Sequence, residues 1–151
     1  ISPTSPKGSI GTTAPYGTDD YPFKLAELVA AAGATYSARW TTVQIDNLVG
    51  SIKKALKNPG FSFVEVASQC PTYFGRKNKL RTPTAMAVTM KMNTVFKSEA
   101  DRMREKDLEG KIIVGEFADK QRPDYTDNIQ KLSEAKSGGK TLRYSAYMDD
   151  I

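Results

Sequence analysis

Ala34-Thr35-Tyr36-Ser37-Ala38-Arg39-Trp40 opens the stretch whose reading decides the fold. Thr, Tyr and Trp suit a pleated, half-buried surface, so this segment predicts a strand. Thr41 or Thr42 then supplies a hydroxyl cap for a helix. In that helix Ile45, Leu48, Val49, Ile52 and Leu56 recur at the three-and-four spacing of an apolar stripe. Lys53, Lys54 and Lys57 fall in its last turns, where positive charge complements the exposed carbonyls. Asn58-Pro59-Gly60 ends it. The chain then returns from Phe61 to Ser68 as a second strand, with the apolar run Phe63-Val64-Glu65-Val66-Ala67. A short apolar run after an amphipathic helix points to an interior strand of a mostly parallel sheet. The unit from 34 to 68 is therefore strand, helix, strand with a right-handed crossover, and the fold class is α/β.

Upstream, residues 1 to 21 mix Pro3, Pro6, Pro15, Gly8, Gly11 and Gly17 with Ser and Thr, a loop composition. A loop of that length either is disordered or lines something. Pro22 to Ala32 reads as a helix with Phe23, Ala26, Val29 and Ala30 on one face and Gly33 as its stop. Downstream, Gln69 to Arg81 is a polar loop holding Cys70, the only cysteine. Thr82-Pro83 is a cap followed by a first-turn proline, opening a helix to about Phe96 with Met86, Met90 and Val95 as apolar positions. Lys111 to Phe117, around Ile112-Ile113-Val114, is a short strand or buried extended segment. Tyr125 to Ala135 is a modest helix, and the Gly-rich, then polar tail after Ser137 is expected to be mobile. No internal repeat is visible.

The 151 residues suffice for one domain with a core, and 39% hydrophobic against 26% charged residues describes a soluble globular chain. No run reaches the length of a membrane span. The net charge of +5 is compatible with an acidic protein partner or phosphate-bearing ligands, and falls short of the basic stripe of a nucleic-acid binder. A chain with no His builds neither imidazole–zinc sites nor a Ser-His-Asp triad. A single Cys forms no internal disulfide, so a reducing, cytoplasmic setting is expected. The chain starts at Ile1, which leads us to expect a trimmed rather than complete translation product.

Four stretches stand out in order along the chain. They are Ser2-Pro3-Thr4-Ser5-Pro6-Lys7-Gly8; Ala34-Thr35-Tyr36-Ser37-Ala38-Arg39-Trp40-Thr41-Thr42; Gly60-Phe61-Ser62-Phe63-Val64-Glu65-Val66-Ala67-Ser68-Gln69-Cys70-Pro71-Thr72-Tyr73-Phe74-Gly75-Arg76; and Leu108-Glu109-Gly110-Lys111-Ile112-Ile113-Val114-Gly115-Glu116 with Arg122-Pro123. Together they resemble the C-terminal half of the β subunits of 2-oxoacid:ferredoxin oxidoreductases, and the third resembles the 2-oxoglutarate branch more than the pyruvate branch. The resemblance implies that residues 1–81 are the C-terminal part of a thiamine-diphosphate-binding (PP-type) domain, and that residues 82–151 are an extension packed on it. It implies oxidative decarboxylation of 2-oxoglutarate to succinyl-CoA with reduction of ferredoxin. Thiamine diphosphate, Mg²⁺ and a [4Fe–4S] cluster are the implied cofactors; the α subunit, ferredoxin, 2-oxoglutarate and coenzyme A are the implied partners. In this family a Gly-Asp-Gly segment and a later Asn pair hold the diphosphate through Mg²⁺. Neither occurs here, so the chain alone is expected to retain no cofactor and to be inactive.

The same resemblance places Ser2, Pro3 and Thr4 near thiamine diphosphate, and makes Cys70 the fourth thiolate of the cluster. Both positions have a plainer reading: a flexible stump for the first, a structural cysteine for the second, since free Cys is often simply buried. Arg76, Lys77, Lys79 and Arg81 beside Tyr73 and Phe74 form either a solvated face or a surface for coenzyme A phosphates, acidic ferredoxin or single-stranded nucleic acid. Glu65 is either a partnered buried carboxylate or a solvent-pointing strand residue. Met86, Met90 and Met92 read as core or interface packing, and Arg122 as a grip on a neighbouring subunit. The competing function is a small basic α/β module that binds a nucleotide or nucleic acid and catalyses nothing.

Overall fold

Every residue of β1 (Tyr36–Thr41) is buried, which marks it as the strand around which the rest is laid down. The structure, a computed structural model, describes residues 1–137, and the tail expected to be mobile lies outside the described residues. In chain order the main elements are α1 (Leu25–Ala31), β1, α2 (Ile45–Lys57), β2 (Ser62–Ala67), α3 (Pro83–Asn93), β3 (Thr94–Phe96), α4 (Lys97–Ala100), β4 (Ile112–Asp119) and α5 (Tyr125–Lys136). The strands form one sheet in the order β2-β1-β4-β3. β1 runs parallel to β2, from Tyr36 opposite Ser62 to Thr41 opposite Ala67, and β3 runs parallel to β4. The β1–β4 pairing is antiparallel, with a register shift between Ser37 and Ala38. The sheet is thus mostly parallel, as expected, with its one reversed pairing where the downstream segment joins.

Alternation along β1 divides two helical layers. Tyr36, Ala38 and Trp40 form the core with Leu48 and Val114, flanked by Ala55, Val64 and Ile112. On this face Trp40 Nε1 donates to Ser51 Oγ of α2 (2.6 Å), Tyr36 OH donates to Glu116 Oε1 (2.8 Å), and Ser51 Oγ lies 2.8 Å from the Tyr36 oxygen, so neither aromatic buries an unpaired donor. Ser37 and Arg39 point the other way, where Ser37 Oγ donates to Ala26 O of α1 at 2.7 Å. A fully buried side chain such as Val114 contributes roughly 1.5–3 kcal/mol through apolar burial alone.

Local departures from the sequence reading have identifiable causes. α1 begins at Leu25 rather than Pro22, because the Phe23 amide bonds the Pro3 carbonyl (3.0 Å) and holds that stretch extended. Thr82 caps α3 as expected, its Oγ1 accepting from Ala85 N at 3.1 Å. α3 stops at Asn93 rather than near Phe96. Thr94, Val95 and Phe96 leave as β3 to pair with β4, and the Thr94 hydroxyl closes the last helical turn on Met90 O at 2.8 Å. β-Branched and aromatic residues suit that switch. Asp124 and Asp127 form a reciprocal capping box that starts α5. Of the methionines, Met86 is buried, Met90 lies against Thr42, and Met92 faces solvent.

Candidate functional site

β2 delivers the chain to Cys70, which precedes one wide helical turn, Pro71–Gly75. The thiol is exposed. The Phe74 backbone N–H, then that of Tyr73, and the Thr72 hydroxyl hold it below the ordinary thiol range, since each favours the thiolate. Thr72 Oγ1 lies 3.7 Å from the sulfur. The turn is closed by Gly75 N donating to Cys70 O (2.9 Å) and Leu80 N donating to Gly75 O (2.8 Å). Position 75 has no room for a side chain: a Cβ there would stand 2.3 Å from the Leu80 carbonyl oxygen and 2.8 Å from Met86 Sδ. Packing of Met86 of α3 beneath the turn thus requires glycine.

The long N-terminal loop docks on this same turn. Ile10 N donates to Asn78 Oδ1 (2.8 Å), and Asn78 Nδ2 returns a bond to Ile10 O (3.1 Å). Asn78 Nδ2 also reaches Phe74 O, so one amide ties the loop to the turn. Tyr73 OH accepts from Thr12 N at 2.7 Å and makes a very short contact with the Thr12 hydroxyl, which lowers the Tyr73 pKa. Of the two alternatives read from its length, disorder is not what these bonds describe: the loop is held on the turn. Nearer its start, Ser2 Oγ and Thr4 Oγ1 share a hydrogen bond of 2.8 Å, and Pro3 O accepts from Phe23 N; all three residues are exposed. Arg76, Lys77, Lys79 and Arg81 are exposed around the turn, with Lys77 over the Tyr73 ring at 5.6 Å.

Glu65 follows the partnered reading. Its Oε2 accepts from Arg39 Nε at 2.8 Å and from Ala26 N at 3.2 Å. Arg39, only 8% exposed, also grips Glu27 with both terminal nitrogens and donates to Ile113 O. The sequence reading missed this arginine as a buried cation, because its acidic partners come from other elements. A second polar chain runs Lys54–Glu116–Tyr36–Ser51, with Lys54 also on Asp119 at 2.7 Å. Burial pushes the Tyr36 phenol up to about 12, and the bonds to Asp119 and Glu116 raise the Lys54 ammonium. Beside this chain an open cleft of about 840 Å³ is lined by Trp40, Lys54, Phe96, Lys97, Asp101 and Glu116, none of them among the expected site residues.

No family model matches the sequence. The 2-oxoglutarate synthase subunit KorB of Methanothermobacter marburgensis is 56% identical over 150 residues, which cover 99% of this chain and 53% of that protein. The same subunit of Methanothermobacter thermautotrophicus is 54% identical over 99% of this chain and 53% of its own length. That of Methanocaldococcus jannaschii is 48% identical over 89% of this chain and 50% of its own length. Over nearly its whole length the chain is similar to these 2-oxoglutarate synthase KorB subunits. It spans about half the length of the curated relatives it matches. The fold agrees with this similarity. A 2-oxoglutarate:ferredoxin oxidoreductase from Magnetococcus marinus, solved with 2-oxoglutarate, coenzyme A and succinyl-CoA bound, superposes with a TM-score of 0.68 at 25% identity, over 96% of this chain and 49% of that one. The competing reading, a nucleotide- or nucleic-acid-binding module, finds no support in these oxidoreductase β-subunit relatives.

Proposed function

We propose that the chain is the C-terminal part of the β subunit of a 2-oxoglutarate:ferredoxin oxidoreductase, working in the cytoplasm together with an α subunit. The observation that carries this reading is the 56% identity extending over 99% of the chain to a 2-oxoglutarate synthase subunit. In the proposed reaction 2-oxoglutarate and coenzyme A give succinyl-CoA, CO₂, a proton and an electron pair that reduces ferredoxin. Thiamine diphosphate, when bound with Mg²⁺, supplies the electron sink that no ordinary side chain provides. Residues 1–81 are then the C-terminal part of the thiamine-binding domain, and residues 82–151 the extension packed on it through β4. Among the described residues no helix is long and apolar enough to cross a membrane.

Within this reading Cys70 contributes one thiolate to a [4Fe–4S] cluster. Its exposure and its ring of N–H donors fit a sulfur held ready as an anion. Among the described residues no group of His, Cys, Asp or Glu is sufficient to hold a metal ion, so the remaining ligands come from outside them. The hydroxyls of Ser2 and Thr4 form the face offered to thiamine diphosphate, since hydrogen-bond donors suit an anionic group, while Pro3, its carbonyl bonded to Phe23 N, holds the segment in place. The net charge of +5 complements an acidic electron acceptor such as ferredoxin.

The test is reduction of a low-potential acceptor by the complete assembly, given 2-oxoglutarate and coenzyme A. Failure of oxoacid-dependent reduction in a cluster-loaded assembly overturns the reading. Cys70→Ser in that assembly is expected to lose cluster iron and its electron paramagnetic resonance signal; full retention of both removes Cys70 from the ligand set.

A further inference from the structure

The turn that carries Cys70 is built more tightly than a surface bend requires. Gly75 N closes it on Cys70 O, Leu80 N closes it on Gly75 O, and Lys79 sits at φ 63°. A lysine in the left-handed region is kept only where its surroundings hold it there. The two residues whose N–H groups polarise the sulfur, Tyr73 and Phe74, each have a second attachment. The Tyr73 phenol takes the Thr12 N–H and meets the Thr12 hydroxyl. The Phe74 carbonyl accepts from Asn78 N and from Asn78 Nδ2, both at 2.9 Å. The Asn78 side chain then exchanges a pair of bonds with the Ile10 backbone, as a neighbouring strand would.

Ile10 and Thr12 belong to a loop that is itself cross-braced. Gly8 N donates to Thr18 O (2.7 Å), Thr18 N to Ser9 O (3.1 Å) and Gly11 N to Ala14 O (3.1 Å). Its two limbs run so close that a Cβ on Gly17 would stand 3.0 Å from the Gly8 carbonyl oxygen. At its start the loop carries Ser2 and Thr4, and Pro3 O accepts from Phe23 N just ahead of α1. One braced segment thus joins the Ser2–Thr4 face to the Cys70 turn. The hydrogen bonds at the turn end of that segment come from Tyr73 and Asn78.

We propose that Asn78 and the Tyr73 phenol are positioning residues: they lock the Cys70 turn to the N-terminal loop, and so fix the donors around the sulfur relative to the Ser2–Thr4 face. This inference rests on the reading of Cys70 as a cluster thiolate in a 2-oxoglutarate:ferredoxin oxidoreductase. An exposed thiol ringed by N–H donors suits that ligand role. Asn78 and the phenol act through the backbone of residues 73 and 74, not on the sulfur itself. Donors at a cluster sulfur favour the reduced, more negative state, so a loosened turn lowers the reduced fraction at a fixed low potential.

The experiment places Asn78→Ala and Tyr73→Phe separately in the complete, cluster-loaded assembly. Three readouts are followed: amide hydrogen exchange, the electron paramagnetic resonance line shape, and the fraction of cluster reduced at one fixed low potential. Asn78→Ala is expected to speed exchange in residues 8–12 and 72–76 at least roughly tenfold. With cluster iron retained, its line shape should change and its reduced fraction should fall at least roughly threefold. Tyr73→Phe removes a single oxygen and should move all three readouts the same way by less; it decides the matter if Asn78→Ala loads no iron. Asp19→Asn breaks the exposed Lys7–Asp19 pair in the same loop, and should leave line shape and reduced fraction as they are. Faster exchange with an unaltered line shape and reduced fraction shows a brace that is structural only, and overturns the proposal. Unaltered exchange in both variants overturns it as well. A wild-type assembly active on 2-oxoglutarate whose cluster signal ignores both variants sinks this inference alone. A cluster signal that responds to both, in an assembly without oxoacid-dependent reduction, sinks the functional reading.

Discussion

Arg39, inside the β1–β2 ladder, and Cys70, three residues past the end of β2, make opposite use of charge. Arg39 is buried in β1, and its donors go to Glu65, Glu27 and the Ile113 carbonyl. Cys70 follows β2, is exposed, and has the Phe74 and Tyr73 backbone N–H groups and the Thr72 hydroxyl arranged around its sulfur. The first is a closed electrostatic unit that fixes α1 and β2 on β1. The second is an exposed thiol polarised by the N–H groups and hydroxyl of its own turn. The comparison teaches how this chain uses polar groups: buried, paired charge holds the scaffold, while donors gathered at a surface turn tune an exposed thiol.

The largest expected effect falls on the closed unit. Arg39→Met leaves Glu65 and Glu27 without their cation, and should cost about 3 kcal/mol in urea unfolding, near the lower end for breaking a buried pair from one side. A change under about 1 kcal/mol, the range of exposed pairs, would break the contrast. Next is Gly75→Ala. Its Cβ would overlap the Leu80 carbonyl oxygen, so the turn must shift, at a cost of about 1–3 kcal/mol, and Cys70 alkylation kinetics should change with it. Unaltered stability and thiol reactivity would show that the turn is loosely built.

A smaller, pH-dependent effect separates the two regions again. Tyr36, with its phenol raised from 10.0 to about 12, holds its proton in the folded state after the unfolded state has lost it. Its contribution is complete below pH 10 and is lost as pH climbs towards 12, so denaturation midpoints should fall across that window. Tyr36→Phe should flatten the fall. Cys70 moves in the other direction: alkylation by iodoacetamide should reach its plateau at a lower pH than a free thiol does, and Thr72→Ala should shift the midpoint upward. The smallest effect is expected from Tyr73→Phe, which removes the bonds to Thr12 and should speed protease cleavage within residues 7–17 while leaving global unfolding in place.

The strand–helix–strand unit was legible because its signals are local. The stripe on α2, the Asn58-Pro59-Gly60 stop and the apolar run of β2 are all read within a few turns of chain, and Thr82 announces α3 in the same way. β3 was not legible, since its short run becomes a strand only by pairing with β4, about eighteen residues on. The buried role of Arg39 depends on Glu27 and Glu65 from two other elements, and nothing in the spacing of β1 indicates them. At the candidate site, Cys70 stood out as the only thiol. The donors that tune it arise from the turn geometry, and the docking of Thr12 on Tyr73 spans 61 positions that no local pattern records.

The placement of β4 between β1 and β3 also constrains the order in which the molecule is built. Residues 36–67 can assemble from contacts close in sequence, whereas Tyr36 must wait for Asp119 before its second ladder closes. Bringing such distant segments together carries a loop-closure penalty that slows the step. On the ribosome, the β1–α2–β2 unit is therefore available as a template well before β4 emerges, and β3 acquires its register last.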